Sequence, residues 1–545
     1  MAGKEEVSIS VDNIRKNWHW IALIAILFLG LYFRSYHLDY PVIGYHNWKE
    51  SRYLGEARNF AEEGFFRYGL FVASDDYPNA NADPSGAHGG EFPTLSILIA
   101  VFFKILGESL LVARIIMLLI GLGIILMTYL LMKELFDRQD IALASAFASA
   151  LMPMLVFFTH NTDVVSFGLL LMLIGAYLYV LWVKGNKGRD LVLSSFFVML
   201  AAVSKYYFLI ILLPMLFIFP LERLKDLKKF GPKAYPYIGA AIAALLLPAQ
   251  YLYSGYISSK VGEAGITTKL IDISSIMTSQ WWTILKAYTA DNYTILGFWI
   301  AMFGIAFFFL FFKKKDIGYR FMLGYLVGLI PFVLVMSKKL SGHSYHQYAI
   351  APLAAFLIAY CLVVAAANAS KIVGMKYLKP FVIIILFLIL YFPSSTAWSR
   401  QFDTQFFGLD VAGEYIKANS APDERIIHSG HQDFGVLWHA DRKGIGTGVP
   451  SLDDIKYAES KLNAKWVFLY QWGFSVMKEH EKWQYIKDNY ELKQIAFINN
   501  QPIYLLFKRG GRFDESMLQN LTGVPQKKIY ELTSGTVEMQ WVNFN

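Results

Sequence analysis

Long apolar runs dominate the first 395 residues, with few polar positions inside any of them. They fall at roughly 19–35, 110–132, 141–158, 164–183, 190–204, 206–220, 235–254, 294–312, 321–336, 348–366 and 380–394. A helix crosses a bilayer with about 20 apolar residues and satisfies its own backbone donors and acceptors there. The pattern therefore predicts an α-helical polytopic membrane protein with about eleven transmembrane helices. The first run, Trp20–Phe33, is followed by Arg34-Ser-Tyr-His-Leu-Asp-Tyr-Pro41 without a small-residue cleavage site, so it reads as an uncleaved span.

One more apolar stretch, Pro93–Leu106, is decided by charge. The basic loops are Lys133–Arg138, Lys184–Arg189, Glu222–Lys233, Lys313–Arg320 and Lys371–Lys379. If 93–106 does not cross, all five share the side of Lys4, Arg15 and Lys16. If it crosses, all five leave that side. Basic residues collect on the cytoplasmic side, which favours the first option. Residues 36–109 then form one long outer loop, with 93–106 lying in or dipping into the interface. Segments 160–163, 255–293 and 337–347 are outer as well. An odd number of spans carries the C-terminal part outside too.

Beyond residue 395 the pattern turns polar. Short runs at Arg425–His428, Trp466–Tyr470 and Pro502–Phe507 read as strands, alternating with helical patterns at Val411–Ala418 and Ser475–Asn489. The plan is a cytoplasmic N-terminus (1–18), a transmembrane domain (19–395), and an extracytoplasmic α/β or α+β domain (396–545). Localisation follows: a multi-pass cell (plasma or inner) membrane protein.

Composition agrees. Hydrophobic residues make up 55% of 545 and charged residues 17%, against about 45–50% and 25% in soluble domains. The net charge of +8 sits in short clusters between apolar runs, which reads as topology and not as nucleic-acid binding. Lipid phosphates remain partners for a few of these cations. The lone cysteine, Cys361, excludes an intramolecular disulfide and a thiolate metal cluster.

Candidate chemistry gathers in the outer segments. The loop reads Gly44-Tyr-His-Asn-Trp-Lys-Glu-Ser-Arg-Tyr-Leu-Gly-Glu-Ala-Arg58, then Asp75-Asp-Tyr77, then His88-Gly-Gly-Glu-Phe-Pro93. On a helix His46, Glu50 and Tyr53 share a face, with Lys49, Arg52 and Glu56 on a neighbouring stripe. Phe158-Thr-His-Asn-Thr-Asp163 brings His160 and Asp163 to a membrane boundary, where a carboxylate is costly unless paired or functional. A helix cap is the plainer role for Asp163. Ser337–Tyr348 supplies Lys338, Lys339, His343, Tyr345, His346 and Tyr348, the two lysines also suiting headgroup snorkelling. Lys205 stands alone in apolar sequence and needs an anion or carboxylate partner. Acids, cations and aromatics from four segments thus reach one membrane face. That set suits chemistry on a lipid-linked phosphate: a carboxylate as general base, cations on the phosphate leaving group, aromatic faces on a sugar. No metal-ligand motif stands out, although the outer His and Asp residues leave a divalent metal open.

The order of these features resembles the GT-C superfamily of polytopic glycosyltransferases. It looks most like the protein O-mannosyltransferase and aminoarabinose-transferase branch, glycosyltransferase family 39-like. The resemblance runs over about 20–395: Glu50-x-Arg-Tyr-x-x-x-Ala-Arg58, Glu91-Phe-Pro93, Gly107, Ala113-Arg114, outer Asp163, Lys205 and His343-Ser-Tyr-His-Gln-Tyr348. It implies inverting transfer from a polyprenyl-phosphate-linked sugar, with an acid early in the first outer loop as base and a glycan, lipid or protein as acceptor. The family's Asp-Glu pair aligns with Lys49-Glu50, so a lysine occupies the favoured catalytic position. Glu50 is then the first candidate base, with Asp163 and His46 as alternatives. By the same analogy Arg58, Lys205 and His346 contact lipid phosphate or sugar, and Glu91 supports the loop or touches substrate. Arg52, His160, His343, Tyr345 and Tyr348 complete the expected binding set. Related oligosaccharyltransferases carry Trp-Trp-Asp-Tyr-Gly in their outer domain. Here Trp281-Trp282 precede Thr-Ile-Leu in a loop, which argues against that reading.

Two other classes compete. A transporter or flippase of a lipid-linked sugar places ionisable groups at mid-membrane, often with internal repeats, and neither is visible here. A non-catalytic scaffold of cell-envelope glycan assembly is the other, and Lys49 is the feature that suggests it.

Overall fold

The computed structural model describes residues 11–67, 70, 72–73, 76–77, 87–88, 90–225, 231–261, 271–375, 378–446, 451–474, 480–518 and 524–544. Asp75 and residues 475–479, both used in the sequence reading, lie outside the described residues. The helices of the first part are α1 (Val11–Arg34), α2 (Asn47–Glu63), α3 (Thr94–Leu106), α4 (Leu110–Phe136), α5 (Gln139–Leu151), α6 (Pro153–Phe157), α7 (Val164–Gly185) and α8 (Gly188–Ser204). A 3-10 turn, Tyr206–Ile211, leads into α9 (Leu212–Phe217). Then come α10 (Tyr235–Ala244), α11 (Leu246–Val261), α12 (Ser279–Tyr293), α13 (Ile295–Leu310), α14 (Ile317–Val335), α15 (Ala351–Val373) and α16 (Leu378–Asp403).

Among the described residues, seven helical stretches are long and apolar enough to cross a membrane, or eight if α12 and α13, bent by 92°, form one span. The expected spans at 141–158, 190–204, 206–220 and 294–312 are the four that fall short in length. Local chemistry explains this. Pro153 has no N–H to give and starts α6, breaking the run after Leu151. Lys205 takes an extended conformation and ends α8, and 206–211 is wound as 3-10 helix. Thr294, at φ 63°, separates α12 from α13.

End contacts nevertheless alternate between two faces. On one face Lys184 pairs with Glu134, Lys379 with Asp140, and Arg223 donates to the carbonyls of Trp182 and Val183. On the other, Arg34 donates to Thr159, Lys205 pairs with Glu91, Gln250 donates to Gly90, and Asn292 to Ser344. The shorter segments run between these faces like the long ones. Helix α3 does not. Thr94 at its start meets Ser204 at 2.7 Å, while Lys104 near its end lies over Phe65 and Glu108 just beyond is 3.9 Å from Arg58. Both its ends stay with α2.

The C-terminal part builds a mixed eight-stranded sheet, ordered β2-β5-β4-β6-β8-β7-β10-β9. Its strands are β4 (Arg425–His428), β5 (Gly444–Ile445), β6 (Ala464–Tyr470), β7 (Tyr490–Ile498), β8 (Gln501–Arg509), β9 (Gln526–Leu532) and β10 (Gly535–Asn543). Strand β2 (Asp76–Tyr77) comes from the segment between α2 and α3 and pairs parallel with β5, while β1 (Val72–Ala73) and β3 (Ala87–His88) of the same segment pair with each other. Alternation along β6 sends Trp466, Phe468 and Tyr470 into one core and Val467 and Leu469 into another, so the sheet is covered on both faces. Helices α17 (Leu409–Asn419) and α18 (Gly435–Ala440) fill the first core. The same side of the sheet docks on α2. Asn47 donates to the Gln432 carbonyl and accepts from the Gly435 N–H, and the Val42 N–H donates to His439.

Candidate active site

Helix α2 starts after His46, whose φ of 62° turns the chain sharply into the helix. Almost all of its first three turns is buried, charged residues included. Glu50 is 2% exposed and faces Arg114 of α4, whose Nε donates to Oε1 at 3.0 Å and Nη2 to Oε2 at 3.2 Å. The Thr162 N–H adds a third donor to Oε1 at 3.3 Å. Burial opposes ionisation, but Arg114 overrides it and holds the Glu50 carboxyl below its usual range. Arg114 also donates to the carbonyls of His37, Leu38 and Tyr40. The pair therefore ties α2, α4, the end of α1 and the 158–163 turn together. Both Glu50 oxygens are engaged in that tie, Oε1 with Arg114 and Thr162 and Oε2 with Arg114.

Asp163 differs. It caps α7, its Oδ1 accepting the Val165 N–H at 3.1 Å, as the capping reading expects. Its Oδ2 is buried and has no hydrogen-bond partner. Burial outweighs the attraction of Lys49 and pushes the Asp163 carboxyl up from its ordinary value. The groups within its electrostatic reach include Lys49, Lys205, Glu91, Tyr53, Tyr207, Tyr345 and Tyr348. The Tyr53 and Tyr207 hydroxyls and His346 Nδ1 are likewise buried without a partner. Buried polar atoms almost always find partners, so four unmatched ones near one carboxylate mark a place built for something else.

Cations flank this place. Lys205 pairs with Glu91. The Lys49 ammonium stands 4.6 Å from the Trp48 ring centroid, 5.1 Å from Tyr345 and 5.7 Å from Tyr53. Burial, with help from Lys205, brings its pKa down to about 7. His343 stacks on Tyr345, centroids 5.2 Å apart, and both touch His46. Aromatic rings and charges of both signs thus stand side by side here. Such an arrangement can bind an anionic group, hold an apolar ring face and accept a proton.

The structure brings Asp163, Glu91, Lys205, Tyr345 and His346 together, with His46, His343 and Arg52 at the margin, Arg52 pairing with Glu56 at 2.8 Å. Four expected site residues are placed elsewhere. Glu50, the first candidate base, is paired with Arg114 on the far side of α2 from this cluster. Arg58, nine residues beyond Lys49, leaves the site for Asp441 of the C-terminal part at 2.7 Å and lies over Trp438. Tyr348 turns into the bundle, where its hydroxyl meets Ser166 at 2.9 Å. His160 lies on the Arg114 side, bonded to the Tyr36 carbonyl and to Asn161, and burial with Arg114 lowers its pKa to about 4. Sequence reasoning read Lys49 as a departure from the family pattern that suggests a scaffold, and gave neither Lys49 nor Tyr207 a place in the site. The i, i+4 spacing of Lys49 and Tyr53, which stacks both on one face of α2, was the available signal. Among the described residues no group of three or more His, Cys, Asp or Glu side chains is placed to hold a metal ion.

The family model for dolichyl-phosphate-mannose-protein mannosyltransferases matches residues 88–253, a minority of the chain. The fold is similar to the archaeal oligosaccharyltransferase AglB from Archaeoglobus fulgidus, solved with an inhibitory peptide and a dolichol-phosphate. The TM-score is 0.60 at 14% identity, over 95% of this chain and 80% of that one. The apo crystal structure of the oligosaccharyltransferase from the same organism gives 0.57 at 14%, with the same coverage. The apo crystal structure of ArnT from Cupriavidus metallidurans gives 0.49 at 12%, over 90% of this chain and 98% of that one. No curated protein sequence matches the chain. The likeness to the oligosaccharyltransferases is one of fold. Trp281 and Trp282 lie at the start of α12, Trp281 buried and donating to the Ser337 carbonyl. The chain is a multi-pass membrane protein with the GT-C fold.

Proposed function

We propose that this GT-C-fold protein is a glycosyltransferase that moves a sugar from a polyprenyl-phosphate carrier to an acceptor hydroxyl at the extracytoplasmic rim of the membrane. The observation that carries the reading is the unpartnered Oδ2 of Asp163, a buried carboxylate oxygen among ammonium groups and aromatic walls. Asp163 acts as general base. The acceptor oxygen bonds to the anomeric carbon as the bond from that carbon to the phosphate oxygen breaks. The hydroxyl proton passes to Asp163, and the electron pair leaves with the polyprenyl phosphate, whose charge Lys205 stabilises. Attack opposite the leaving group inverts the anomeric centre. The dolichol-phosphate held by the archaeal oligosaccharyltransferase is a carrier of the proposed class. The basic loops on the face opposite Asp163 support the extracytoplasmic assignment.

The test is incubation of the purified protein with labelled polyprenyl-phosphate sugars and candidate glycan, lipid and protein acceptors. Labelled product and free polyprenyl phosphate are expected from the wild type, and neither from Asp163→Asn. A well-folded wild type that transfers no sugar to any acceptor class would favour the scaffold reading that Lys49 suggests.

A further inference from the structure

We infer that Lys49 is the principal seat of the donor phosphate, working with Lys205 as a pair of ammonium groups beside Asp163. The inference rests on the proposed function and assigns a residue which that reading leaves without a role.

The argument begins with the cost of the group. Lys49 is 4% exposed, and no carboxylate lies within 4 Å of its ammonium among the described residues. A buried, unpaired ammonium persists only where something offsets its lost hydration. Three ring faces do part of this, with Trp48 the nearest at 4.6 Å. Ring faces accept no strong hydrogen bond, so the three N–H donors remain to be matched. The other buried ammonium of the site, Lys205, is committed to Glu91, and Arg52 at the margin is committed to Glu56. Lys49 is the ammonium with donors to spare, and it faces the same cluster of unmatched polar atoms as Asp163.

Charge points the same way. Sugar transfer converts a phosphodiester with one negative charge into a phosphate monoester with nearly two. A single ammonium already shared with Glu91 is a poor match for that growing charge. A second, unshared ammonium completes it, and groups aimed at developing charge are those that lower a barrier. Lys49 must be protonated to serve. Its pKa, lowered to about 7 chiefly by burial, is held there between Lys205 and Arg52, which lower it, and Glu91 and Asp163, which raise it. Tyr53 on its own helix and Tyr345, His343 and His346 across the cleft complete its titratable surroundings. The ammonium loses its proton as pH rises through about 7, and affinity for phosphate falls with it.

The experiment measures binding of a polyprenyl phosphate, and transfer from its sugar derivative, by wild type, Lys49→Met and Lys49→Arg between pH 6 and 9. Lys49→Met is expected to weaken polyprenyl-phosphate binding by about 10- to 100-fold, the worth of a charged hydrogen bond. Lys49→Arg is expected to restore most of the affinity and to abolish its fall above pH 7, because the guanidinium stays charged. If Lys49→Met does not fold, the flattened pH profile of Lys49→Arg carries the test. Wild-type affinity retained in Lys49→Met overturns the inference. So does an equal loss of binding to phosphatidylglycerol vesicles, which would make the seat one for bulk lipid headgroups. A wild type that binds polyprenyl phosphate through Lys49 but transfers no sugar sinks the proposed function and leaves the seat standing.

Discussion

Glu50 and Asp163 make opposite predictions when each loses its charge. Glu50→Gln leaves Arg114 buried with its counter-ion gone. Removing one partner of a buried pair costs about 3–5 kcal/mol. Gln keeps one acceptor oxygen, and Arg114 keeps the carbonyls of His37, Leu38 and Tyr40, which places the expected loss near 3 kcal/mol at the lower end of that range. In Asp163→Asn the retained Oδ1 still accepts the Val165 N–H, and the atom replaced is the one with no partner. Its stability should stay within about 1 kcal/mol of wild type. The catalytic effects reverse. Loss of a general base costs about 10²- to 10⁴-fold in rate. Asp163→Asn should therefore be folded and almost inactive, while Glu50→Gln should melt several degrees lower and keep substantial transfer in its folded fraction. Thermal unfolding of the purified protein, paired with initial transfer rates at saturating donor, reads both quantities. A stable but inactive Glu50→Gln beside an active Asp163→Asn would return the base to Glu50 and refute the reasoning. A pH term accompanies it. Glu50 is depressed below its usual range, so its stabilisation is present at neutral pH and is lost only as pH falls below about 4 through its folded value. Glu50→Gln should be correspondingly less sensitive to acid.

Three further outcomes are expected. Arg58→Ala and Asp441→Ala should show a coupling of about 1 kcal/mol or less by double-mutant cycle, since Asp441 is partly exposed, and transfer should stay within a few-fold of wild type; abolished transfer would put Arg58 back in the site. Gly304→Leu should destabilise the bundle by more than 1 kcal/mol, because even a Cβ at Gly304 would press into the Leu357 carbonyl oxygen of α15; unchanged thermal stability would contradict this packing. With Cys361 replaced, a single cysteine at Asn419 should react with an impermeant maleimide from outside and one at Lys314 only from inside, and the reverse result would invert the proposed orientation.

Much of this was legible before the structure. Charge in the loops led to the expectation that 93–106 does not cross, and in the structure α3 is a short helix lying against α2. The strands read at Arg425–His428, Trp466–Tyr470 and Pro502–Phe507 became β4, β6 and β8. Counting spans led to the expectation that Asp163, Lys205, Glu91 and the His343–Tyr348 segment share one face; in the structure Lys205 pairs with Glu91, and Tyr348 turns to Ser166. Pairing was not legible. The Arg114–Glu50 bond joins residues 64 apart in the chain, and periodicity says nothing about which cation meets which acid. For the same reason Arg58 could not be read as a latch to Asp441, which lies 383 residues further along the chain. The helix lengths failed at local breaks. Hydropathy averages over Pro153 and Lys205, whereas backbone geometry stops at them. Strand β2 was invisible too, since two residues of an outer loop gain strand character only by pairing with Gly444 and Ile445.

The docking of the C-terminal part on α2 gives the site its last requirement, and Asn47 tests it. Its side chain closes two buried hydrogen bonds, donating to the Gln432 carbonyl at 2.9 Å and accepting the Gly435 N–H at 3.1 Å. Lys49 stands two residues further on. Asn47→Ala removes both bonds and leaves a buried donor and acceptor unmatched, at about 1–3 kcal/mol each before relaxation. Asp163 is held by α7 and not by this contact, so the proton-accepting group should be unaffected. The start of α2, and with it the Lys49 ammonium, should lose its fixed position. If the C-terminal part acts by positioning α2, Asn47→Ala raises KM for the donor several-fold while kcat at saturation stays near wild type, because bound phosphate can re-order the lysine. A fall in kcat with KM unchanged would instead mean that this contact orders the chemistry itself. No change in either would show that α2 is held by Glu50 and Arg114 alone.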